Sequence, residues 1–255
     1  MVVIQNEKIA HIPVLHVVKE EKRYEKLPLI IFIHGFTSAK EHNLHFGYLL
    51  AEAGYRVILP DALYHGEREE KVTEQELQFS FWNIVLNEIE EIAKIKDELA
   101  SRHIIDEQRI GLAGTSMGGI TTFGALTQYP WIKAAVSLMG TPCYEIFFQL
   151  QIDEIRKRGY QLPLSEEELQ KEKERLAAYD LSLQPEKLKG RPLFIWHGQL
   201  DQVVPYHYTY EFYEKIKPLY AQNEAHLKFI SDAKAGHKVT REAFLETVNW
   251  FEKYV

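Results

Sequence analysis

The chain has 255 residues, 45% of them apolar and 26% charged, with a formal net charge of −7. That balance belongs to an ordinary globular protein and excludes a disordered chain, which lacks the apolar surface to offset the entropy of folding; 14 glycines and 10 prolines exclude a collagen-like or linker sequence. The acidic excess argues against a nucleic-acid-binding surface, where clustered basic residues are expected, and the single cysteine, Cys143, has no intrachain disulfide partner, as in a reducing compartment.

In chain order, the first residues show no basic segment followed by an apolar run, so no secretory leader is expected. A lead-in of one or two antiparallel strands is predicted over residues 9–18. Short apolar blocks then recur at 29–33, 55–59, 109–113, 134–138, 192–196 and 227–230. They run without alternation, as strands buried on both faces of a parallel sheet do. The block 29–33 is far shorter than the ~20 residues of a membrane span. A cytoplasmic protein without a membrane span is expected. Helices are predicted at 41–53, 74–100, 117–128, 207–215 and 241–254. The second opens on Thr73-Glu74-Gln75-Glu76, a capping box in which a hydroxyl and a carboxylate three residues apart satisfy each other's backbone donors. Strands alternating with helices imply an α/β domain spanning 1–255, its sheet covered by helices on both sides.

One segment breaks the rhythm. About fifty residues separate the strands at 134–138 and 192–196, more than a crossover requires. Their first part is aromatic, with Tyr144, Phe147 and Phe148; the later part is heavily charged and holds a second capping-box pattern, Ser165-Glu166-Glu167-Glu168. A helical insertion over 141–190 is expected, either a solvated excursion or a cap whose aromatic half covers a pocket.

The sharpest motif is Gly114-Thr115-Ser116-Met117-Gly118. It matches G-x-S-x-G and lies between a predicted strand and a predicted helix, the setting in which a strained turn presents the central serine above the sheet. A serine needs a base, and the base needs an orienting acid. Among 11 histidines, His237 follows the last strand and falls at the same carboxyl edge as Ser116, whereas His226 precedes that strand. His34, His65 and His197 also lie near strand ends and stay open. Asp201, in the loop after the strand 192–196, is the expected acid; Asp232 and Asp180 are its competitors. His34-Gly35-Phe36 follows the first parallel strand. The Phe36 N–H would join that of Met117 as an oxyanion hole, the main electrostatic device of acyl transfer.

The order Ser116, Asp201, His237 on alternating strands and helices resembles the α/β-hydrolase superfamily. More narrowly, the stretches His34-Gly35-Phe36-Thr37-Ser38-Ala39-Lys40-Glu41 and Pro60-Asp61-Ala62-Leu63-Tyr64-His65-Gly66-Glu67-Arg68 resemble small bacterial carboxylesterases of the YjfP/YitV type, near the prolyl oligopeptidase and dienelactone hydrolase branches. The resemblance implies an α/β-hydrolase fold, a mostly parallel twisted sheet with a helical cap. It implies Ser116 as nucleophile, His237 as base, Asp201 as its partner, and Phe36 and Met117 as oxyanion donors. It further implies that residues 61–66 shape the pocket wall or brace the oxyanion loop. The chain differs from dienelactone hydrolases in its serine nucleophile. It differs from prolyl oligopeptidases in lacking the several hundred residues of a gating propeller.

The expected activity is that of a serine carboxylesterase acting on short-chain, uncharged esters through an acyl-enzyme, with Tyr144, Phe147 and Phe148 lining the acyl pocket. The expected partner is a small-molecule ester, with no nucleic acid; no metal or organic cofactor is implied, and the oligomeric state is not legible. A thioesterase or acyltransferase with the same triad, or a low-turnover ligand-binding protein on a hydrolase fold, are the alternatives.

Overall fold

The apolar runs assemble into one eight-stranded sheet in a computed structural model that describes residues 1–159, 162 and 164–255. Two strands open the chain. β1 (Val2–Ile9) and β2 (Ile12–Lys19) pair antiparallel with Ile9 opposite Ile12. The two residues between them, Ala10 and His11, both take positive φ, 50° and 67°. That is the turn whose twist matches a two-residue hairpin. The Glu98 carboxylate accepts the Ala10 N–H and holds the turn in place. β1 begins ahead of the predicted lead-in because its side chains alternate between solvent and protein, so it carries no continuous apolar signal.

β3 (Leu27–Ile33), β4 (Arg56–Pro60), β5 (Ile105–Thr115), β6 (Ala134–Leu138), β7 (Leu193–Gly198) and β8 (Leu227–Asp232) run parallel in the order β4-β3-β5-β6-β7-β8. β2 joins them antiparallel along β4. Side chains alternate between the faces: Leu29, Ile31 and Ile33 enter one core, Ile30 and Phe32 the other. Both cores are apolar, which explains the unbroken runs. β5 begins earlier than predicted. Its pairing with β3 shifts register at Pro28/Leu29, and Glu107, Gln108 and Arg109 are exposed there, masking the strand in the sequence.

α1 (Leu44–Glu52) and α8 (Arg241–Tyr254) cover one face, packing Phe46, Leu50, Trp250 and Phe251 into its core. The predicted helix 41–53 is shorter than expected, because Lys40–Asn43 form a 3-10 turn. On the other face lie α3 (Phe81–Ser101), α4 (Met117–Gln128) and α7 (Tyr206–Ile216). The predicted helix 74–100 is split. α2 (Glu74–Phe79) starts on the Thr73 capping box and ends at Ser80, whose hydroxyl donates to the Glu76 carbonyl. Such back-bonding competes with the helix.

Between β6 and β7 come α5 (Tyr144–Lys157) and α6 (Glu166–Ala177), the latter opened by the Ser165–Glu168 capping box. Positions 160, 161 and 163 of the expected insertion 141–190 lie outside the described residues. α5 is tied to the body: Trp82 Nε1 donates to Gln151 at 2.7 Å and Arg175 of α6 to Asn83 at 2.6 Å. Asp180 caps α5 by accepting the Glu145 N–H at 3.0 Å. Among the described residues no helix is long and apolar enough to cross a membrane.

Candidate active site

The loops after the parallel strands share the carboxyl edge of the sheet, where α/β proteins place their sites. β5 turns into α4 at Ser116, with φ 54° and ψ −114°. A non-glycine residue held there stores ~1–3 kcal/mol of strain. Glycine neighbours make the turn possible. A Cβ on Gly114 would lie 2.3 Å from the Gly118 backbone, and one on Gly118 would lie 2.2 Å from the Ile33 carbonyl oxygen. The strand, the turn and the helix are therefore in backbone contact, and Ser116 cannot relax without moving all three.

The side chains of Ser116, His237 and Asp201 meet over this turn. His237 Nε2 lies 2.8 Å from Ser116 Oγ, and His237 Nδ1 lies 2.7 Å from Asp201 Oδ2. The two loops that carry the imidazole and the carboxylate are bonded together. Leu200 N–H donates to the Ala235 carbonyl at 3.0 Å, Gln199 N–H donates to that of Asp232 at 2.8 Å, and Gly198 leaves no room for a Cβ against Ala235.

The electrostatics favour an ionised acid. Burial by itself would raise the Asp201 carboxyl. The donors from His197 and His237 and the Val204 N–H outweigh it and hold the group well below the usual carboxylate range. Oδ1 accepts the N–H groups of Val203 and Val204, both at 2.9 Å. The Asp201 side chain is fully enclosed while that of His237 is 22% exposed, so solvent reaches the imidazole but not the carboxylate. This arrangement can draw the hydroxyl proton from Ser116 onto Nε2 and stabilise the resulting imidazolium.

Phe36 follows β3 beside the turn, and a Cβ on Gly35 would touch Ser116 Cβ at 3.4 Å. Among the described residues the Phe36 N–H carries no hydrogen bond. The Met117 N–H opens α4, where the first-turn donors have no intrahelical acceptor. Both are thus available to an oxygen above Ser116.

The competing residues have other partners. Asp232 Oδ1 accepts the N–H groups of Lys234 and Ala235 in a local turn. His226 lies at the opposite end of β8 and contacts Asn223 and the Gly190 carbonyl. His34 and His65 bond to the loops after β3 and β4. His197, not anticipated as a partner of Asp201, lies 3.2 Å from its Oδ2; nothing in the residue pattern signals this, because positions four apart meet regularly only in helices.

The expected acyl-pocket residues divide. Tyr144 has no accessible surface, packs on Trp82 and donates its hydroxyl to the Ile120 carbonyl at 2.7 Å. It is a packing residue between α5 and α4 and lines no pocket, contrary to expectation; helix α5 turns this ring inward. Phe147 contacts Phe81, and Phe81 contacts Phe36 at 5.4 Å between ring centroids, so a line of rings runs from the insertion to the Gly35 loop. Phe148 is buried in the same core.

The profile of the prolyl oligopeptidase family matches residues 45–255. The chain belongs to that family. It is a serine hydrolase with the α/β-hydrolase fold. It is 57% identical over its full length to the protein named "Putative esterase YitV" of Bacillus subtilis (strain 168), all of which it covers. It is also 32% identical to esterase YjfP of Escherichia coli (strain K12), over 80% of this chain and 81% of that one. Among solved structures, TT1662 from Thermus thermophilus superposes with a TM-score of 0.77 at 21% identity, covering 99% of this chain and 98% of that one. The acylaminoacyl peptidase of Pyrococcus horikoshii superposes with a TM-score of 0.69 at 20% identity, but this chain spans only 41% of it. These two likenesses are of fold.

Proposed function

We propose that the protein is a carboxylesterase that hydrolyses short, uncharged esters through an acyl-enzyme on Ser116. The observation that carries this reading is the position of His237, within hydrogen-bond distance of Ser116 Oγ on one side and of Asp201 on the other. Ser116 Oγ bonds to the ester carbonyl carbon as its proton passes to His237 Nε2. The carbonyl oxygen becomes an oxyanion held by the N–H groups of Phe36 and Met117. Loss of one such donor costs ~3–4 kcal/mol of barrier. The carbon–alkoxy bond then breaks, and His237 returns the proton to the departing alcohol. Water repeats the sequence on the acyl-enzyme and releases the acid. Asp201 keeps Nδ1–H in place and stabilises the imidazolium.

The insertion 141–190 acts as a cap on this site, and Phe36, Phe81, Phe147 and Phe148 give the acyl side its apolar wall. Bulky apolar rings close to the reacting carbonyl favour small acyl groups and disfavour charged ones, which have no partner there. The relatives YitV and YjfP carry the name esterase, which supports an ester as the substrate. The test is hydrolysis of p-nitrophenyl acetate, butyrate and octanoate by wild type and Ser116→Ala, with fluorophosphonate labelling. Activity that declines along the series and is abolished with labelling in Ser116→Ala is expected. Equal rates in wild type and Ser116→Ala would overturn the reading.

A further inference from the structure

Two buried histidines outside the triad join the loop that carries Phe36 to the loop after β4, and each does so through a backbone group. His65 Nε2 lies 3.0 Å from the Thr37 nitrogen, while its Nδ1 lies 2.8 Å from the Leu63 carbonyl oxygen. The amide can only donate and the carbonyl can only accept. The hydrogen of the imidazole is therefore on Nδ1, and the Nε2 lone pair receives the Thr37 N–H. His34 makes the reciprocal link: its Nδ1 donates to the Gly35 carbonyl at 2.7 Å and its Nε2 accepts the Ala62 N–H at 3.0 Å. Each link needs a neutral ring. Burial lowers the pKa of both, that of His34 to about 4.

The residue that His65 holds is under strain. Thr37 has φ 59°, a value that a β-branched side chain rarely adopts. The bond from its N–H to His65 holds the Phe36–Thr37 peptide, the one that leaves Phe36. Thr37 Oγ1 adds a bond to the Phe36 carbonyl at 2.7 Å, and the Phe36 ring meets the His65 ring edge-on at 5.5 Å.

The platform beneath His65 is rigid. Asp61 is fully buried; its Oδ1 accepts the Lys40 N–H at 3.0 Å, and its Oδ2 accepts Lys40 Nζ at 2.6 Å and the Glu67 N–H at 3.0 Å. Gly66 has φ 54°, and a Cβ there would fall 2.1 Å from Asp61 Oδ1. The loop after β4 thus has a buried ion pair and a required glycine, and from it His65 presents its acceptor to Thr37.

We infer that His65 is a positioning residue of the oxyanion hole: by accepting the Thr37 N–H it fixes the strained turn that aims the Phe36 N–H at the substrate. The inference rests on the assignment of Phe36 as an oxyanion donor. A donor held in place before the reaction is worth more than one that must be ordered during it. The effect therefore falls on kcat rather than on ground-state binding.

The test compares wild type, His65→Phe, His65→Gln and Ser116→Ala in p-nitrophenyl acetate hydrolysis and in affinity for phenylboronic acid, which forms a tetrahedral adduct on a reactive serine. His65→Phe keeps a ring but has no acceptor. It is expected to lower kcat at least tenfold with KM within threefold of wild type, and to weaken boronate binding in parallel. His65→Gln places an amide oxygen near the Nε2 position and is expected to recover kcat to within fivefold of wild type. If His65→Phe does not fold, His65→Asn replaces it, its oxygen sitting near the Nδ1 position and out of reach of Thr37. Wild-type kcat in the acceptor-free variant would overturn the inference, as would a defect in His65→Gln equal to that in His65→Phe. Hydrolysis surviving in Ser116→Ala would instead overturn the assignment of the site itself.

Discussion

His197 Nε2 lies 3.2 Å from Asp201 Oδ2, the same oxygen that His237 contacts at 2.7 Å. His197 is wholly enclosed, and Nε2 also lies 2.9 Å from the Val204 carbonyl. Both neighbours accept, so Nε2 carries the hydrogen and shares it between them; Nδ1 has no partner among the described residues. The Asp201 carboxylate is thus fixed from behind as well as from below by the Val203 and Val204 amides. His197→Phe keeps the ring and removes the donor. A hydrogen bond to a charged group is worth ~1.5–3 kcal/mol, so kcat/KM for p-nitrophenyl acetate is expected to fall about tenfold to a hundredfold. A variant with wild-type kcat/KM would show that the Val203 and Val204 amides suffice.

Asp201→Asn is expected to be far more severe. The amide matches the carboxylate in size, but its NH2 group cannot accept from His237 Nδ1–H, and the imidazole then favours the tautomer that cannot take the Ser116 proton. The loss in kcat is expected to be about 10³–10⁴-fold with the fold intact, as for the equivalent change in serine proteases. Steady-state kinetics beside a thermal unfolding curve separates this from simple destabilisation.

Two glycines at the site are expected to respond in opposite ways to alanine. A Cβ on Gly118 would lie 2.2 Å from the Ile33 oxygen and 2.8 Å from that of His34. Both are backbone atoms of the strand that leads to Phe36, so neither yields cheaply. Gly118→Ala is expected to cost about 3 kcal/mol or more and to abolish activity. Gly236 precedes His237, yet a Cβ there would meet only the Leu200 oxygen, at 3.7 Å. Gly236→Ala is expected to stay within about 0.5 kcal/mol of wild type. Chemical denaturation of both variants checks the contrast.

Much of this was legible without coordinates, for identifiable reasons. β3 and β6 read clearly because side chains on both of their faces are buried, and the meeting of Ser116, Asp201 and His237 follows once their loops are assigned to one sheet edge. Side-chain direction was less legible. The stretch from Tyr144 to Phe148 reads as apolar, but only its helical rotation shows that Tyr144 faces α4 while Phe147 faces Phe81. The break at Ser80 is carried by one hydroxyl. For the clasp between the loops of His34 and His65, the resemblance implied that residues 61–66 wall the pocket or brace the oxyanion loop; it did not give the atoms, because the imidazoles bind backbone groups, which are the same whatever the residue.

The last prediction concerns an acid on the helix packed against α4. Glu88 is buried, and its Oε2 accepts the Thr121 hydroxyl at 3.0 Å while Oε1 has no partner among the described residues. Burial raises its pKa to about 8; the Thr121 bond and the Arg68 charge oppose the rise, and Glu91 adds to it. The folded protein therefore binds a proton at Glu88 that the unfolded chain, with an ordinary carboxyl, releases near ~4.3. Where the native state binds more protons than the unfolded one, stability falls as pH rises. The contribution of Glu88 is thus fully favourable below the unfolded value, declines between that value and about 8, and is flat above. Glu88→Gln imitates the protonated acid in shape and does not titrate. It is expected to match wild type near pH 4.5 and to exceed it at pH 8, by up to ~5 kcal/mol for a carboxyl moved from ~4.3 to about 8. Urea unfolding at the two pH values checks the sign. A stability difference that is the same at both would mean that Glu88 is ionised in the native protein and that a compensating charge reaches it.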